Sequence, residues 1–448
     1  MPSQPTKLNL RYGLDAWPPP LALAVLSLQW LVVLLPGLLV LGEVVALAQG
    51  LDQAGRVAFM QRLLIMGALV QLAQVCWGHR LPGLVGPSAV LMVGVLATLG
   101  AGLAAVCGAM ALGGALTALL GLTGLAGRLG RLYTPPVLSS TLLLIVISLG
   151  PTMRDLFFPP AAHTAGAAVA GPFLFAMALV GAMLWAQHRL KGLVSSSVLL
   201  LGMLVGSAAY YLLGLAPAPA WPAAGLSPWT PPSLLPSSLA LDPGVIAAFV
   251  LCYLALTANE LATVGSLLPM VGARDGDRPA NRRGRPGWLG RSNRAVLVSG
   301  LGGLLAGLWG LPGPVTYSVS PGVLIASQSA SRWTLLPAAG LVLVLAFWPG
   351  GLALVGLLPA PVVGAVLFCL MASTVYAALL LVTRDGTPVD WPSGLVMGTA
   401  LIGGMVVTFM PAQARQALHP LLQPLLANGF VMGLVLAMLM EHVVLRRK

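Results

Sequence analysis

The sequence predicts an all-α polytopic membrane protein built as an inverted repeat, and three observations lead to this fold class. The 448-residue chain is 58% hydrophobic and only 8% charged, whereas soluble domains carry about 25% charged residues. Apolar runs of roughly twenty residues, long enough to cross a hydrocarbon core of ~30 Å, recur along the whole chain. Two of these runs are short and interrupted, and they occupy corresponding places in the two halves.

Apolar runs and the Gly and Pro breaks between them predict about fourteen transmembrane spans, about seven in each half. Their predicted boundaries are 21–45, 57–77, 84–98, 101–126, 136–150, 170–188, 193–214, 243–268, 295–311, 321–330, 333–350, 361–383, 393–411 and 427–446. The third and tenth spans are broken, and each begins with a proline beside a serine, at Gly86-Pro87-Ser88 and Ser320-Pro321-Gly322. An odd number of spans per half places the halves in opposite orientation, as in secondary transporters.

Basic residues fall almost entirely on one predicted side of the membrane. Of the 23 Lys and Arg residues, the exceptions are Arg56, Arg62, Arg154 and Arg415. This bias predicts cytoplasmic termini and an even number of spans in the inner membrane. The basic loop from Arg274 to Arg294 is interpreted as an orientation anchor that also contacts anionic lipids. The pI of about 10.3 therefore reflects topology and does not indicate a nucleic-acid partner.

Glu260 is the only acidic residue predicted near the middle of a span, the one at 243–268. A carboxylate at that depth is costly and by default indicates a functional site. It can accept two N–H hydrogen bonds from a ligand, and it can also carry a proton. The alternative is a structural role, in which Glu260 pairs with Thr257, Thr263 or a backbone group of the tenth span.

Four sets of motifs together resemble the nucleobase–ascorbate transporter family, which includes bacterial uracil and xanthine permeases. The resemblance covers essentially the whole chain. The motifs are Asn9–Asp15 with Pro18–Pro20, Gly78–Pro82 with Gly86–Ser88, Asn293–Ala295 with Gly300–Gly310, and Pro314–Ser318 with Gly322 and Ser331-Arg332.

The resemblance implies two domains that follow a cytoplasmic segment at 1–20. A core domain would comprise spans 1–4 and 8–11, at 21–134 and 243–350. A gate domain would comprise spans 5–7 and 12–14, at 135–242 and 351–448, with a proline-rich outside loop at about 215–242. Spans 3 and 10 would contain short antiparallel strand segments, and the base would lie between them and span 8.

The same resemblance assigns the site. Glu260 matches the base-binding glutamate of span 8, and Ala89, preceded by Ser88, matches a strand position whose backbone contacts the base. The candidate substrate-binding residues are Glu260, Ser88, Ala89, Tyr317, Ser318, Val319 and Ser320. For Ser88 and Ser320 the alternative is simple capping of a half-helix. Tyr317 either closes the pocket by stacking or only packs.

Four positions depart from the family pattern. Trp30 follows Gln29 where the family usually has histidine, and Val264 stands where an Asp or His is linked to ion coupling. Ser299 replaces an Asp, and Val319 replaces the Gln or Glu that grips the base. These departures affect nucleobase specificity and proton coupling more than the location of the site.

The sequence therefore predicts a secondary transporter of a uracil- or xanthine-like base or related small solute, coupled to a proton or another cation. Glu260 is the proton-coupling candidate, and alternating access would arise from movement of the core against the gate. The alternatives are a sulfate-permease-like anion transporter of the same fold and a non-transporting membrane protein with a degenerate pocket. We predict no enzyme activity, cofactor or metal site, and the resemblance implies a homodimer among membrane lipids.

Overall fold

A computed structural model describes residues 10–126, 132–158, 170–190, 192–217, 238–273, 290–353, 357–383, 389–411, 413–414, 417–418 and 426–445. The first nine residues of the predicted cytoplasmic segment lie outside this range. So do most of the proline-rich loop and the basic loop from Arg274 to position 289. Of the orientation anchor and lipid contact predicted at Arg274–Arg294, only residues 290–294 are described, and Arg291 and Arg294 are buried.

The first half of the chain forms eight helices and one short strand in the described residues. They are α1 Pro20–Ala48, α2 Gln53–Cys76, β1 Val85–Pro87, α3 Ala89–Thr98, α4 Leu103–Thr123, α5 Pro135–Ser148, α6 Gly150–Phe157, α7 Ala170–Arg189 and α8 Gly192–Leu212. Proline in the first turn starts α1 and α5, where its missing N–H costs nothing. Asp52 caps α2 by accepting a hydrogen bond from the Gly55 N–H at 2.8 Å.

The second half repeats this order. Its elements are α9 Pro243–Met270, α10 Arg291–Trp309, β2 Pro314–Thr316, α11 Ser320–Ser327, α12 Leu335–Ala346, α13 Pro349–Ala353, α14 Ala360–Val382, α15 Trp391–Thr408 and α16 Gly429–Leu439. Asp390 caps α15 and Asn428 caps α16 through their side-chain oxygens. These caps satisfy N–H groups that the first turn of a helix leaves unpaired.

The two strands pair with each other, and this pair is the structural centre of the molecule. They are antiparallel, and Val85 lies opposite Thr316, Gly86 opposite Val315, and Pro87 opposite Pro314. The short antiparallel strands implied for the third and tenth spans are therefore present. Each is followed by a short helix, so the chain crosses this region as a half-strand and a half-helix.

The helices pack in two groups. Helices α1–α4 contact α9–α12, and the most extensive contact in the molecule joins α4 to α10. Helices α5, α7 and α8 pack against α14, and α5 also packs against α15 and α16. Helix α1 contacts both α8 and α14 and so bridges the two groups.

Glycines bring α4 and α10 into direct backbone contact. A Cβ atom added at Gly114 or Gly121 would collide with the backbone of Leu304 or Leu297 in α10. A Cβ at Gly300 would collide in the same way with Ala118 in α4. Small residues that allow close backbone approach are the usual means of joining helices in a membrane, so α4 and α10 form one closely packed pair.

Residues 10–17, called the N-terminal strap below, run beside residues 328–333, which connect α11 to α12. Tyr12 and Ser329 form an isolated parallel bridge. The other contacts are the Asp15–Arg332 ion pair at 2.7 Å, the Ser331 hydroxyl bond to the Ala16 carbonyl and the stacked rings of Trp17 and Trp333. The strap therefore ties the entry of α1 to the second half of the chain.

Most predicted spans correspond to a helix whose ends lie within a few residues of the prediction. In the described residues, eight helices are long and apolar enough to cross a membrane. The spans at 136–150 and 321–330 differ most. The first continues through α6 to Phe157, and the second is preceded by β2. The count of about fourteen spans in two inverted halves stays a prediction.

Candidate functional site

Glu260 lies in the middle of α9 and is 1% exposed. Its Oε2 accepts a hydrogen bond from the Thr316 N–H at 2.9 Å, and its Oε1 accepts one from the Thr316 hydroxyl at 2.6 Å. The Ser299 side chain also lies beside this carboxyl group. An unpaired carboxylate in an apolar interior would cost several kcal/mol, so these contacts are what permits its burial.

This arrangement matches one part of the structural alternative for Glu260, which named a backbone group of the tenth span. The other two expected partners bond elsewhere. The Thr257 hydroxyl donates to the Tyr253 carbonyl at 2.8 Å, and the Thr263 hydroxyl lies 3.2 Å from that of Ser318. Glu260 thus ties α9 to β2 in this conformation, and any bound solute has to compete with or add to those bonds.

Thr316 is the site residue that the sequence did not single out. It ends β2, and its place opposite Val85 fixes the direction of its side chain. Side chains alternate across a strand, so Thr316 faces α9. Thr316 lay within the Pro314–Ser318 motif, but nothing in that motif marked it as the partner of Glu260.

A second polar layer stands behind the carboxylate and comes from α2. Gln74 is completely buried, and its Nε2 donates to the Ser299 hydroxyl at 3.0 Å and to the Ala295 carbonyl at 2.9 Å. Its Oε1 accepts the His79 N–H at 3.2 Å. Ser299, named above only as a departure from the family pattern, is therefore part of the site.

Gln71 lies one helical turn before Gln74 and holds the other strand. Its Nε2 donates to the Gly83 carbonyl at 2.9 Å, and its Oε1 accepts the Val85 N–H at 2.7 Å. Residues three apart on a helix share a face; on this face of α2, Gln71 meets the first broken segment and Gln74 meets α10. Their position in the otherwise apolar stretch from Leu63 to Cys76 was the only sequence signal.

The serines at the two breaks are both engaged within the protein. The Ser88 hydroxyl accepts the Leu91 N–H at 3.3 Å and so caps α3. The Ser320 hydroxyl accepts the Leu84 N–H at 3.0 Å and donates to the Tyr317 carbonyl at 2.6 Å. Capping and bridging are thus the roles that the geometry shows, and their contact with substrate stays a prediction.

Tyr317 packs in the structure. Its hydroxyl donates to the Pro87 carbonyl at 3.2 Å, and its ring lies so close to Gly86 that a Cβ there would collide with it. The ring also lies beside Gly37 of α1. Tyr317, half-buried as a residue, therefore locks the two strand ends together.

The exposed part of the site is formed by the residues after β2. Ser318 is exposed, and Val319 is 42% exposed. The Ser318 hydroxyl donates to Oδ1 of Asn259, which is half-buried on α9, at 3.0 Å. Asn259 was not among the predicted site residues, yet it places a side-chain amide beside the apolar Val319.

The strand conformation that the resemblance implied for Ala89 is wrong, because β1 ends at Pro87 and Ala89 begins α3. The Ser88 cap and the free N–H groups of the first helical turn explain this boundary. Ala89 is half-buried. Its location at the break agrees with the resemblance, but its backbone is that of a helix start.

At two of the other positions that differ from the family pattern, the side chain packs in the protein interior. Trp30 is 1% exposed, and its Nε1 donates to the Thr334 hydroxyl at 2.9 Å. Val264 is fully buried in an apolar cluster with Leu81 and Leu324. At neither position does a titratable side chain reach the site, and both valine and tryptophan stabilise the fold instead.

A cluster of buried arginines surrounds the turn after α2. Arg291 donates to the carbonyls of His79 and Arg80, Arg294 to that of Trp77, and Arg332 to that of Val75. These cations sit at a helix C-terminus, where the peptide dipoles favour positive charge. Burial, followed by the charges of the three arginines, lowers the pKa of His79 to about 3. In the described residues no three His, Cys, Asp or Glu side chains converge as metal ligands.

Solved structures share this fold. The transmembrane domain of the cyanobacterial bicarbonate transporter BicA superposes with a TM-score of 0.60 at 16% identity, covering 88% of this chain and 97% of that one. The murine anion transporter Slc26a9, in its inward-facing state, gives a TM-score of 0.59 at 11% identity, covering 95% and 69%. At these identities the likeness shows the fold alone.

The family whose model matches the chain, together with the apolar helices, defines it as a multi-pass membrane transporter of a small molecule and not an enzyme. Residues 21–413 match the Permease family, and the chain belongs to that family. This confirms the resemblance inferred from the motifs.

Two curated relatives carry names that assign them provisionally to the purine permeases. The protein from Clostridium perfringens (strain 13 / Type A) is 25% identical over 448 residues, which cover 98% of this chain and 94% of its own. YwdJ of Bacillus subtilis (strain 168) is 24% identical over 439 residues, covering 94% and 96%.

Proposed function

We propose that this protein is a secondary transporter of a purine- or uracil-like base. It crosses the inner membrane about fourteen times, in two inverted halves with both termini in the cytoplasm. Family membership and the names of the two curated relatives support the class of solute. The uneven distribution of Lys and Arg in the sequence supports the orientation.

The observation that carries the proposal is the buried carboxylate of Glu260 at the meeting point of α9 and the strand pair. A neutral base presents N–H donors and carbonyl acceptors on one edge. A carboxylate accepts such N–H groups strongly, and the two oxygens of Glu260 keep lone pairs beyond the two hydrogen bonds that Thr316 donates to them. Glu260 thus offers the acceptor half of the pattern that a base edge requires, and Thr316 supplies the donor half where it exchanges a bond to Glu260 for one to the base.

The exposed polar groups beside Glu260 complete the proposed contact surface. Val319 has no polar side chain, but Ser318 and Asn259 bring a hydroxyl and an amide to the same place. Ser88, Ala89, Tyr317 and Ser320 define the opposite wall. Substitution of the family's polar residue by Val319 therefore shifts recognition to neighbouring residues and leaves room for an apolar contact with the ring.

The hydrogen bonds of Glu260 support our proposal that this carboxylate couples transport to a proton. The ionised carboxylate is an acceptor only, whereas the protonated form has one acceptor fewer for the groups of Thr316 and Ser299. Protonation would therefore loosen the attachment of α9 to β2. A proton and a base would then affect each other's binding, as symport requires.

The two packing groups support a division into core and gate. Helices α1–α4 with α9–α12 form the group that holds the site, and α5–α8 with α14–α16 form the other. We propose that the first, at 21–134 and 243–350, moves against the second, at 135–242 and 351–448, and that two copies associate through the gate. The α4–α10 backbone contact makes the first group move as a unit.

The test is uptake by proteoliposomes that contain the purified protein. Radiolabelled xanthine, uracil, adenine, sulfate and bicarbonate are offered separately, with and without an inward proton gradient. We expect uptake of at least one base, stimulation by the gradient, and loss of uptake in Glu260→Gln. Glu441→Gln, at the far end of the chain, is the matched control and should transport normally.

Each other outcome identifies a different error. Uptake of sulfate or bicarbonate without uptake of a base would favour the anion-transporter alternative. Base uptake that Glu260→Gln leaves unchanged would reject the site while keeping the function. Uptake of none of the five solutes by folded protein would reject the proposal.

A further inference from the structure

A series of polar contacts leads from the turn after α2 to Glu260. The His79 N–H donates to Gln74 Oε1 at 3.2 Å, and Gln74 Nε2 donates to the Ser299 hydroxyl at 3.0 Å. The Ser299 side chain in turn lies beside the carboxyl group of Glu260. The side chains of Gln74 and Ser299 are essentially buried, at 0% and 2% exposure, so no bulk solvent competes for these bonds.

The direction of the series is fixed at Gln74. Its oxygen is held by a backbone N–H, which can only donate, so its NH₂ group has to face α10. That NH₂ group has two hydrogens, and they reach the Ala295 carbonyl at 2.9 Å and the Ser299 oxygen. A hydroxyl has one hydrogen. Because the Ser299 oxygen already accepts from Gln74, its hydrogen is available for Glu260.

We propose that Gln74 is a positioning residue for the solute site, which acts by making Ser299 a permanent donor to Glu260. The inference rests on the proposed function, because it assigns a role at the same carboxylate. With Ser299 fixed as a donor, the carboxylate has a third internal hydrogen bond besides the two from Thr316. This holds the carboxylate plane in one orientation and leaves the same lone pairs directed to the solute each time.

The proposal separates the two buried glutamines of α2 by role. Gln71 bonds only to the backbone of Gly83 and Val85 and supports β1. Gln74 bonds to a side chain that itself touches Glu260. Neither glutamine contacts the exposed residues Ser318 and Val319 through a hydrogen bond in the described structure. An effect of Gln74 on solute affinity would therefore have to pass through Ser299.

The experiment measures equilibrium binding of radiolabelled xanthine and uracil to purified protein by scintillation proximity. The variants are Gln74→Met, Ser299→Ala and the double variant. We expect each single change to weaken binding about tenfold, as for loss of one hydrogen bond to a charged group. The affinity of the double variant should equal that of the single variant that binds less tightly, because both changes remove the same donor. Ser299→Thr, which keeps the hydroxyl, should bind within about threefold of the wild type.

The matched control is Gln61→Met. Gln61 is another buried glutamine of α2, about 20 Å from Gln74 by the rise of the helix, and its replacement should leave affinity unchanged. Wild-type affinity in Gln74→Met, or losses that multiply in the double variant, would overturn the inference. If Gln74→Met does not fold, the comparison of Ser299→Ala with Ser299→Thr tests the inference. Equal affinity of these two variants would also overturn it.

Glu260→Gln is measured in the same assay to keep the two proposals apart. If Glu260→Gln binds both bases as the wild type does, the proposed site is wrong and the role of Gln74 falls with it. If Glu260→Gln loses binding while Gln74→Met and Ser299→Ala keep it, the site stands and only the positioning role is rejected.

Discussion

The two broken segments share one plan but differ in what surrounds them. In the first, β1 leads into α3 through Ser88 alone, and residues 85–88 are all buried. In the second, three residues separate β2 from α11, and two of them, Ser318 and Val319, are exposed. The first strand is held by Gln71, whereas the second touches Glu260 through Thr316.

This difference shows that two segments of similar construction need not divide the work of a site equally. The first segment is fixed by uncharged hydrogen bonds to the backbone, which is the pattern of a structural support. The second brings a hydroxyl and exposed side chains together within a few residues, beside the carboxylate of Glu260 on α9. We therefore expect substitutions near β1 to change stability first and substitutions near β2 to change solute binding first.

The largest expected loss of stability comes from Gln71→Met. It leaves the Gly83 carbonyl and the Val85 N–H without partners inside the protein, and each orphaned buried group costs about 1–3 kcal/mol. The free energy of unfolding should fall by roughly 2–4 kcal/mol, measured by thermal or chemical unfolding in detergent. Gln53→Met, at the exposed start of α2, is the control. A change no larger than that of the control would contradict the supporting role of the first segment.

Thr316→Val tests the second segment. Valine keeps the shape of threonine and the backbone N–H but removes the hydroxyl that donates to Glu260 Oε1. Affinity for the transported base should fall about ten- to a hundredfold, since hydrogen bonds to charged groups are worth about 1.5–3 kcal/mol. Thr316→Ser retains the donor and should bind nearly normally. Equal affinity of the Val and Ser variants would show that the hydroxyl plays no part in binding.

The pH dependence of stability should be sensitive to His79, which lies next to the first segment. Its pKa is about 3 in the folded protein because of burial and the nearby Arg291, Arg294 and Arg332, against about 6.5 when unfolded. The unfolded chain therefore binds a proton first as the pH falls. Stability is fully present above pH ~6.5 and should drop by about 2 kcal/mol between pH 7 and pH 5.

His79→Gln should flatten that part of the stability curve, which is measured by unfolding at a series of pH values. His188→Gln, at the end of α7, serves for comparison and should leave the curve as it is in the wild type. A curve that falls equally in the two variants would mean that other groups dominate the acid response.

The smallest expected change in the free energy of unfolding concerns Ser88 and Ser320, the serines at the two breaks. Ser88→Ala removes a cap and should cost about 1 kcal/mol. Ser320→Ala removes an acceptor for the Leu84 N–H as well as a donor to Tyr317, so it should cost more than Ser88→Ala. Unfolding measurements on the two variants, made side by side, provide the comparison. The reverse order would mean that the first break depends on its serine more than the second does.

The sequence predicted the large features because each had a direct physical signal. Apolar runs marked the helices, prolines beside serines marked the breaks, and a lone carboxylate in a span marked Glu260. The family resemblance added the antiparallel strand pair, which a three-residue segment is too short to reveal by periodicity. The end of β1 was harder to predict from the sequence, because the change from strand to helix at Ala89 depends on a cap.

The internal partners of the site could not be predicted in the same way. A threonine in a strand and a serine in an apolar helix have many local partners, and only the fold selects Glu260 for Thr316 and Ser299. For Gln71 and Gln74, the spacing of three places both on one face of α2. It does not say whether that face meets lipid, another helix or the broken segments, so their roles required the tertiary structure.

The N-terminal strap has a consequence for the order in which the protein matures. The Ser331 hydroxyl and the Ala16 carbonyl that it contacts are 315 positions apart. At synthesis rates of about 5–20 residues per second, the strap waits roughly 15–60 s for its partner to emerge. Helix α1 therefore enters the bilayer with its leading end untethered. Closure of the strap, with Trp17 stacked on Trp333, can therefore occur only after the second half of the chain has been synthesised.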